Sequence, residues 1–176
     1  RMRNIENHID LMIDFLLEKK NPIILEFGVE RGSSTKKFLD FVEKNSGKVF
    51  SVDIRDCSNV SNSKSWKFLK SIDLNVDYIL DQFDEIKKNG VDLIFIDSYH
   101  EAKHVQKLMS YYFAYLKQDG AIFVDDVDSL PLRLKKKVWN SIVYDLTLDA
   151  VKEFYYSNTE NCSLKFFFNH KENGLA

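Results

Sequence analysis

The sequence predicts an α/β chain, a mainly parallel sheet covered by helices on both faces. Three observations carry this. Short apolar runs alternate with stretches of helical periodicity along most of the chain. Three of those runs end in aspartate, at Asp53, Asp97 and Asp125. Two glycines, Gly28 and Gly32, follow the first run and lead into a helix start.

The elements follow in order. Ile5, Ile9, Met12, Ile13, Leu16 and Leu17 share one helical face, so a helix is expected over about 4–19, and Pro22 blocks its continuation. "IILEF" (23–27) reads as a buried strand. Ser33 or Ser34 is placed to cap a helix that turns Phe38, Leu39 and Val42 inward. "KVFSVD" (48–53) and "SWKFLKS" (65–71) are the next strands. A helix carrying Val76, Ile79, Leu80, Phe83 and Ile86 stops at Gly90. "VDLIFID" (91–97) is the strongest strand, and a helix with Val105, Leu108, Met109, Tyr112 and Leu116 succeeds it. "AIFVDD" (121–126) is strand five, and a helix opens at Pro131 and runs through Val138, Trp139, Ile142 and Leu146. "VKEFYYS" (151–157) and "SLKFFFN" (163–169) read as two strands joined by a turn, a connection too short for a parallel crossover, so one antiparallel strand is expected. Tyr111, Tyr112, Phe113 and Tyr115 are expected to pack a helix on the sheet, and "RLKKK" (133–137) to form a solvated face.

Length and composition suit one domain spanning 1–176, with its core over about 20–170: 176 residues, 44% hydrophobic and 30% charged. A net charge of −2 argues against nucleic acid as the main partner. No apolar run approaches the roughly 20 residues that span a bilayer. Cys57 and Cys162 make neither a metal spacing nor a disulfide framework, so a cytoplasmic location is expected.

At the carboxyl end of a parallel strand a side chain reaches the crevice where ligands bind. One strand-ending aspartate is as readily a turn starter. Three, beside a glycine turn, point to a shared ligand site. Gly28 and Gly32 let the backbone approach a ligand, and the following helix presents free N–H groups. Asp53 follows Gly32 by 21 residues, the spacing at which an acid accepts both ribose hydroxyls. The glycines do not make a dinucleotide fingerprint, and Glu26 suits a cationic ligand such as a sulfonium bearing an ammonium group.

Together "ILEFGVERGSST", "VFSVDI", "DLIFIDSYHEAKHV" and "LKQDGAIFVDDV" resemble a class I S-adenosylmethionine-dependent methyltransferase of the small O-methyltransferase-like group. The resemblance covers about residues 20–130. It implies a Rossmann-like three-layer sandwich with seven strands in the order 3-2-1-4-5-7-6, strand 7 antiparallel. It also implies that Glu26, Phe27, Gly28, Gly32, Ser33 and Ser34 surround the methionine part of the cofactor, with Asp53 on the ribose. The adenine then lies near Ile54 and the end of strand three, where Ser71 and Ile72 replace a common Gly-Asp pair and Asp73 stands one residue further on. Ser98 takes the place of a common glycine beside Asp97. Asp97, Asp125 and Asp126 offer hard oxygen ligands for Mg²⁺ or another divalent cation. The other reading is that Asp126 caps a loop and Asp125 orders cofactor or water. With Asp97, His100 is placed for catalysis as a general base, or it is an exposed capping residue; His104 lies one turn further on.

The expected function is methyl transfer to an oxygen of a small-molecule acceptor, a sugar or natural-product hydroxyl. A homodimer or the N-terminal helix would close the acceptor pocket. The competing readings are a nucleotide-binding oxidoreductase domain and a non-catalytic module that keeps the fold for binding.

Overall fold

The computed structural model describes residues 7–130, 134, 141–167 and 174–176. Its elements are α1 (His8–Leu16), β1 (Ile23–Phe27), α2 (Ser33–Val42), β2 (Lys48–Asp53), β3 (Trp66–Lys70), α3 (Val76–Gln82), α4 (Asp84–Asn89), β4 (Val91–Ile96), α5 (Ala102–Tyr112), β5 (Leu116–Val124) and α6 (Ser141–Tyr156). The five strands form one parallel sheet in the order β3-β2-β1-β4-β5. β1 and β4 are buried along their whole length, as their mainly apolar runs require, with Glu26 and Asp92 buried inside them.

Period-two alternation along the strands divides the core. Leu25, Phe27, Phe50, Val52, Ile94 and Ile96 meet α3, α4 and α5 on one face. Ile24, Val49, Leu93 and Phe95 meet Met12 and Leu16 of α1 and Phe38 and Val42 of α2 on the other. Parallel hydrogen bonding runs one residue past the strands: Asp97 N–H donates to Phe27 O (2.9 Å) and Asp125 N–H to Ile96 O (3.0 Å). The acids are thereby pinned at the carboxyl edge of the sheet.

Several expectations change. "VKEFYYS" is not a strand: it is the last part of α6, with Ala150 and Val151 buried and Phe154 set edge-on to Phe113 at 5.3 Å. The helix expected over 76–86 breaks at Phe83 into α3 and α4, and Gly90 ends the second with φ 67°. β5 begins at Leu116, inside "LKQDG", with a register shift between Val91 and Leu93. In place of a sixth and seventh strand, the described residues show two antiparallel bridges, Asp125 to Leu175 and Phe167 to Leu175. It is therefore the segment around Leu175 that lies beside β5, with Phe167 outside it.

Met12 and Leu16 of α1 are buried as expected, whereas Leu17 is exposed. Tyr112 is buried and Tyr111 is not. Ile5, Pro131, Val138, Trp139 and the run 133–137 other than Leu134 lie outside the described residues, as do 168 and 169 of the last expected strand. Among the described residues no helix is long and apolar enough to cross a membrane. Both cysteines are free thiols.

Candidate functional site

A cleft of about 880 Å³ opens at the carboxyl edge of the sheet. The β1–α2 turn forms its floor. Gly28 has φ 94°, and a Cβ there would lie 2.0 Å from the Asp97 carbonyl oxygen, so only glycine lets the ends of β1 and β4 come this close. Gly32, at φ 75°, is the N-cap of α2, with no side-chain cap bond. Of the two serines expected to cap, Ser34 has other work. Ser34 Oγ (2.5 Å), Thr35 Oγ1 (2.7 Å) and Ser51 Oγ (2.7 Å) all donate to the Glu26 carboxylate, and Trp66 Nε1 donates to Ser51 Oγ (2.9 Å). Glu26 is fully buried and does not line the cleft; it ties α2 to β1 and β2. Burial pushes its carboxyl pKa up, against the lowering pull of the three hydroxyls. Phe27 and Gly32 likewise stand behind the wall, whereas Gly28, Ser33 and Ser34 line it.

Asp53 lines the cleft and is held by its own loop. Burial acts to raise its pKa, but backbone N–H groups of Arg55 (2.8 Å), Val29 (2.9 Å) and Glu30 (3.1 Å) outweigh that and hold it below the usual carboxylate range. An ionised carboxylate offers about four acceptor sites. Three are engaged by the loop, through Val29, Glu30 and Arg55. Beside it Ile54 and Ile72 line the cleft with exposures of 67% and 64%. Asp73 accepts from Ser98 Oγ (2.6 Å) and from His104 Nε2 (2.9 Å) through one oxygen. His104 therefore points to the Asp73 end of the cleft and not towards His100.

The other end is acidic. Burial first, then Asp125 and Asp126, push the Asp97 carboxyl up to about 9. His100 Nε2 lies 3.6 Å from Asp97 Oδ1 and 3.5 Å from Asp126 Oδ2. Asp126 takes a left-handed φ of 57°, a conformation an aspartate tolerates at modest cost and one that recurs at functional sites. Asp125 is turned to a partner that sequence spacing could not reveal: His8 Nδ1 of α1, 2.8 Å away and 117 positions earlier. α6 supplies two more unforeseen residues. Thr147 Oγ1 donates to His100 O (2.7 Å), and the Tyr144 ring stands edge-on to the imidazole at 5.9 Å.

This donor chemistry fits a divalent cation, with a changed ligand set. Among the described residues Asp97, His100 and Asp126 each offer one ligand atom, all within 4.8 Å of one another. Neighbouring ligands held about 2.1 Å from one ion stand about 3.0–3.4 Å apart, so small side-chain rotations suffice. The expected trio of Asp97, Asp125 and Asp126 is not the one that converges.

A parallel sheet with a glycine turn after β1 and acids closing β2, β4 and β5 defines an open α/β protein with its ligand crevice at the carboxyl edge of the sheet. Residues 25–127, more than half of the chain, match a family described as a methyltransferase domain, and the chain belongs to that family. No curated protein matches the chain in sequence. Among solved structures it resembles the MycE methyltransferase of the mycinamycin biosynthetic pathway, in complex with Mg and SAH (16% identity, TM-score 0.66, covering 96% of this chain and 47% of that one). It also resembles the SAH-bound methyltransferase PaMTH1 of Podospora anserina (16%, 0.61, 95% and 75%). A third is CalS11, a TDP-rhamnose 3'-O-methyltransferase of calicheamicin biosynthesis (11%, 0.64, 95% and 75%). At these identities the likeness is one of fold, and the chain spans about half the length of MycE.

Proposed function

We propose that the protein transfers the methyl group of S-adenosylmethionine to an oxygen of a small-molecule acceptor. One observation carries this reading. A single cleft joins a nucleoside-shaped end (Asp53, Ile54, Ile72, Asp73) to a proton-handling end (Asp97, His100, Asp126). Family membership supplies the methyl-transfer chemistry, and the bound SAH of MycE and PaMTH1 and the sugar-nucleotide O-methylation of CalS11 support cofactor and acceptor class.

Ile54 and Ile72 take the adenine between apolar surfaces, and Asp53 accepts one ribose hydroxyl. Gly28, Ser33 and Ser34 border the methionine part, and the negative field of Asp97 favours the sulfonium. The acceptor hydroxyl enters beside His100. Its proton passes to Nε2, which stands between two acids that stabilise the imidazolium. The acceptor oxygen attacks the methyl carbon, the carbon–sulfur bond breaks, and its electron pair stays on sulfur as the neutral thioether. In place of that base step, a divalent cation held by Asp97, His100 and Asp126 would supply Lewis-acid acidification of the hydroxyl, whose proton would then leave to water, because a ligating imidazole nitrogen accepts none.

The test is calorimetric titration with S-adenosylhomocysteine, NAD and NADP, followed by a hydroxyl-acceptor screen read as S-adenosylhomocysteine formed. Binding of S-adenosylhomocysteine alone is expected. Binding of NAD or NADP instead would overturn the reading in favour of an oxidoreductase domain.

A further inference from the structure

At the nucleoside end of the cleft the Asp73 carboxylate is hydrogen-bonded to an imidazole, His104, that the mechanism above gives no role. Asp73 is 7% exposed, and a buried carboxylate persists only if its oxygens are bonded. Its partners come from two other segments, Ser98 of the β4–α5 loop and His104 of α5. Both side-chain donors meet the same oxygen, Oδ2. The Tyr112 hydroxyl donates to the Asp73 carbonyl oxygen (2.9 Å) and fixes the backbone beneath it. His104 is itself held from two sides. Its backbone N–H donates to Glu101 Oε2 (3.0 Å), and the Tyr99 ring stands edge-on to the imidazole at 5.4 Å. Two donors on Oδ2 leave the other oxygen, Oδ1, able to accept.

Asp73 lines the cleft together with its chain neighbour Ile72, whose side chain is exposed there. A flat apolar surface beside a single fixed acceptor is complementary to a base edge that presents an amino group. A 6-oxo base would set its oxygen against the carboxylate. We propose that His104 is a positioning residue for purine selection, which with Ser98 holds the Asp73 carboxylate so that its remaining acceptor site meets the 6-amino group of adenine. The same clamp fixes the loop that carries Asp97 and His100, since Ser98 lies between them. The inference rests on the cofactor reading above.

The test compares, by calorimetry, S-adenosylhomocysteine with its hypoxanthine analogue, S-inosylhomocysteine. The native chain should prefer the adenine form about ten- to a hundredfold, the effect of setting a buried acceptor against another acceptor. His104→Ala should weaken S-adenosylhomocysteine binding about tenfold and shrink that preference. His104→Gln, whose amide can donate to the same oxygen, should recover most of both. Asp73→Asn, which offers a donor, should reverse the preference. Equal affinity of the native chain for both ligands overturns the inference. So does a His104→Ala variant in which both affinities fall together and the ratio is kept, since that is the mark of a merely structural role. If His104→Ala does not fold by thermal unfolding, Ser98→Ala is read by the same ratio. A native chain that binds neither ligand removes the cofactor reading itself, and the inference with it.

Discussion

Replacement of Glu26 tests whether this acid belongs to the ligand or to the scaffold. In Glu26→Ala three hydroxyls lose their acceptor inside the protein: Ser34, Thr35 and Ser51, now at 2.5, 2.7 and 2.7 Å. Bonds to a charged group are worth roughly 1.5–3 kcal/mol each. Desolvation of the carboxylate offsets much of this, as its raised pKa shows. A net loss of about 2–4 kcal/mol is expected, or about 5–15 °C in Tm at 2–4 °C per kcal/mol. Glu26→Gln, which keeps the shape and one acceptor, should lose about 1 kcal/mol. Because the folded pKa lies above the ordinary 4.5, the contribution of Glu26 is complete below that value and is lost as pH rises through the folded one. The stability of the native chain relative to Glu26→Gln should therefore fall as pH rises. Urea unfolding across pH reads this, with S-adenosylhomocysteine affinity measured on the same samples. Glu26 does not line the cleft, so affinity in the Gln variant should change by less than about threefold, under ~0.7 kcal/mol. A Gln variant of native stability that binds ten times more weakly would refute the reasoning and make Glu26 a direct ligand.

Asp53→Ala should weaken S-adenosylhomocysteine binding by about one to two decades, since one ribose contact and the loop geometry go together. Amide exchange at Val29 and Glu30 should speed up at the same time, and unchanged exchange would show that the carboxylate does not hold the loop. Gly28→Ala sets a methyl 2.0 Å from the Asp97 carbonyl in a left-handed conformation; a stability loss of about 2–5 kcal/mol in urea is expected, and a native midpoint would contradict the close approach. Asp97, pushed up to about 9, holds its proton at pH 7 in the unliganded cleft, and a sulfonium beside it favours the ionised form. Binding of S-adenosylmethionine should therefore release a proton and weaken as pH falls, whereas neutral-sulfur S-adenosylhomocysteine should release less. Binding enthalpies that are the same in buffers of different ionisation heat would sink this.

Much of the sheet can be read in the chain. The mainly apolar runs at 23–27 and 91–96, each with one acid inside it, find their place in the middle of a covered parallel sheet, and the structure puts β1 and β4 there. A run that ends in aspartate must also end where a carboxylate can meet water or a ligand, so Asp53, Asp97 and Asp125 locate one edge of the sheet before any coordinates exist. "VKEFYYS" shows the limit. Its aromatic and β-branched residues favour a strand in isolation, but β-propensity mainly expresses packing on neighbours. Here the neighbour is α5, against which Val151 and Phe154 pack as one helical face with Thr147. The partners of the acids were equally out of reach. Glu26 finds three hydroxyls from α2 and β2, Asp53 binds its own loop, and Asp125 meets His8 across 117 positions. Sequence shows which strand end an acid occupies, because that depends on local burial. Which donor reaches it depends on how distant segments pack, and those contacts leave no period or spacing in the chain.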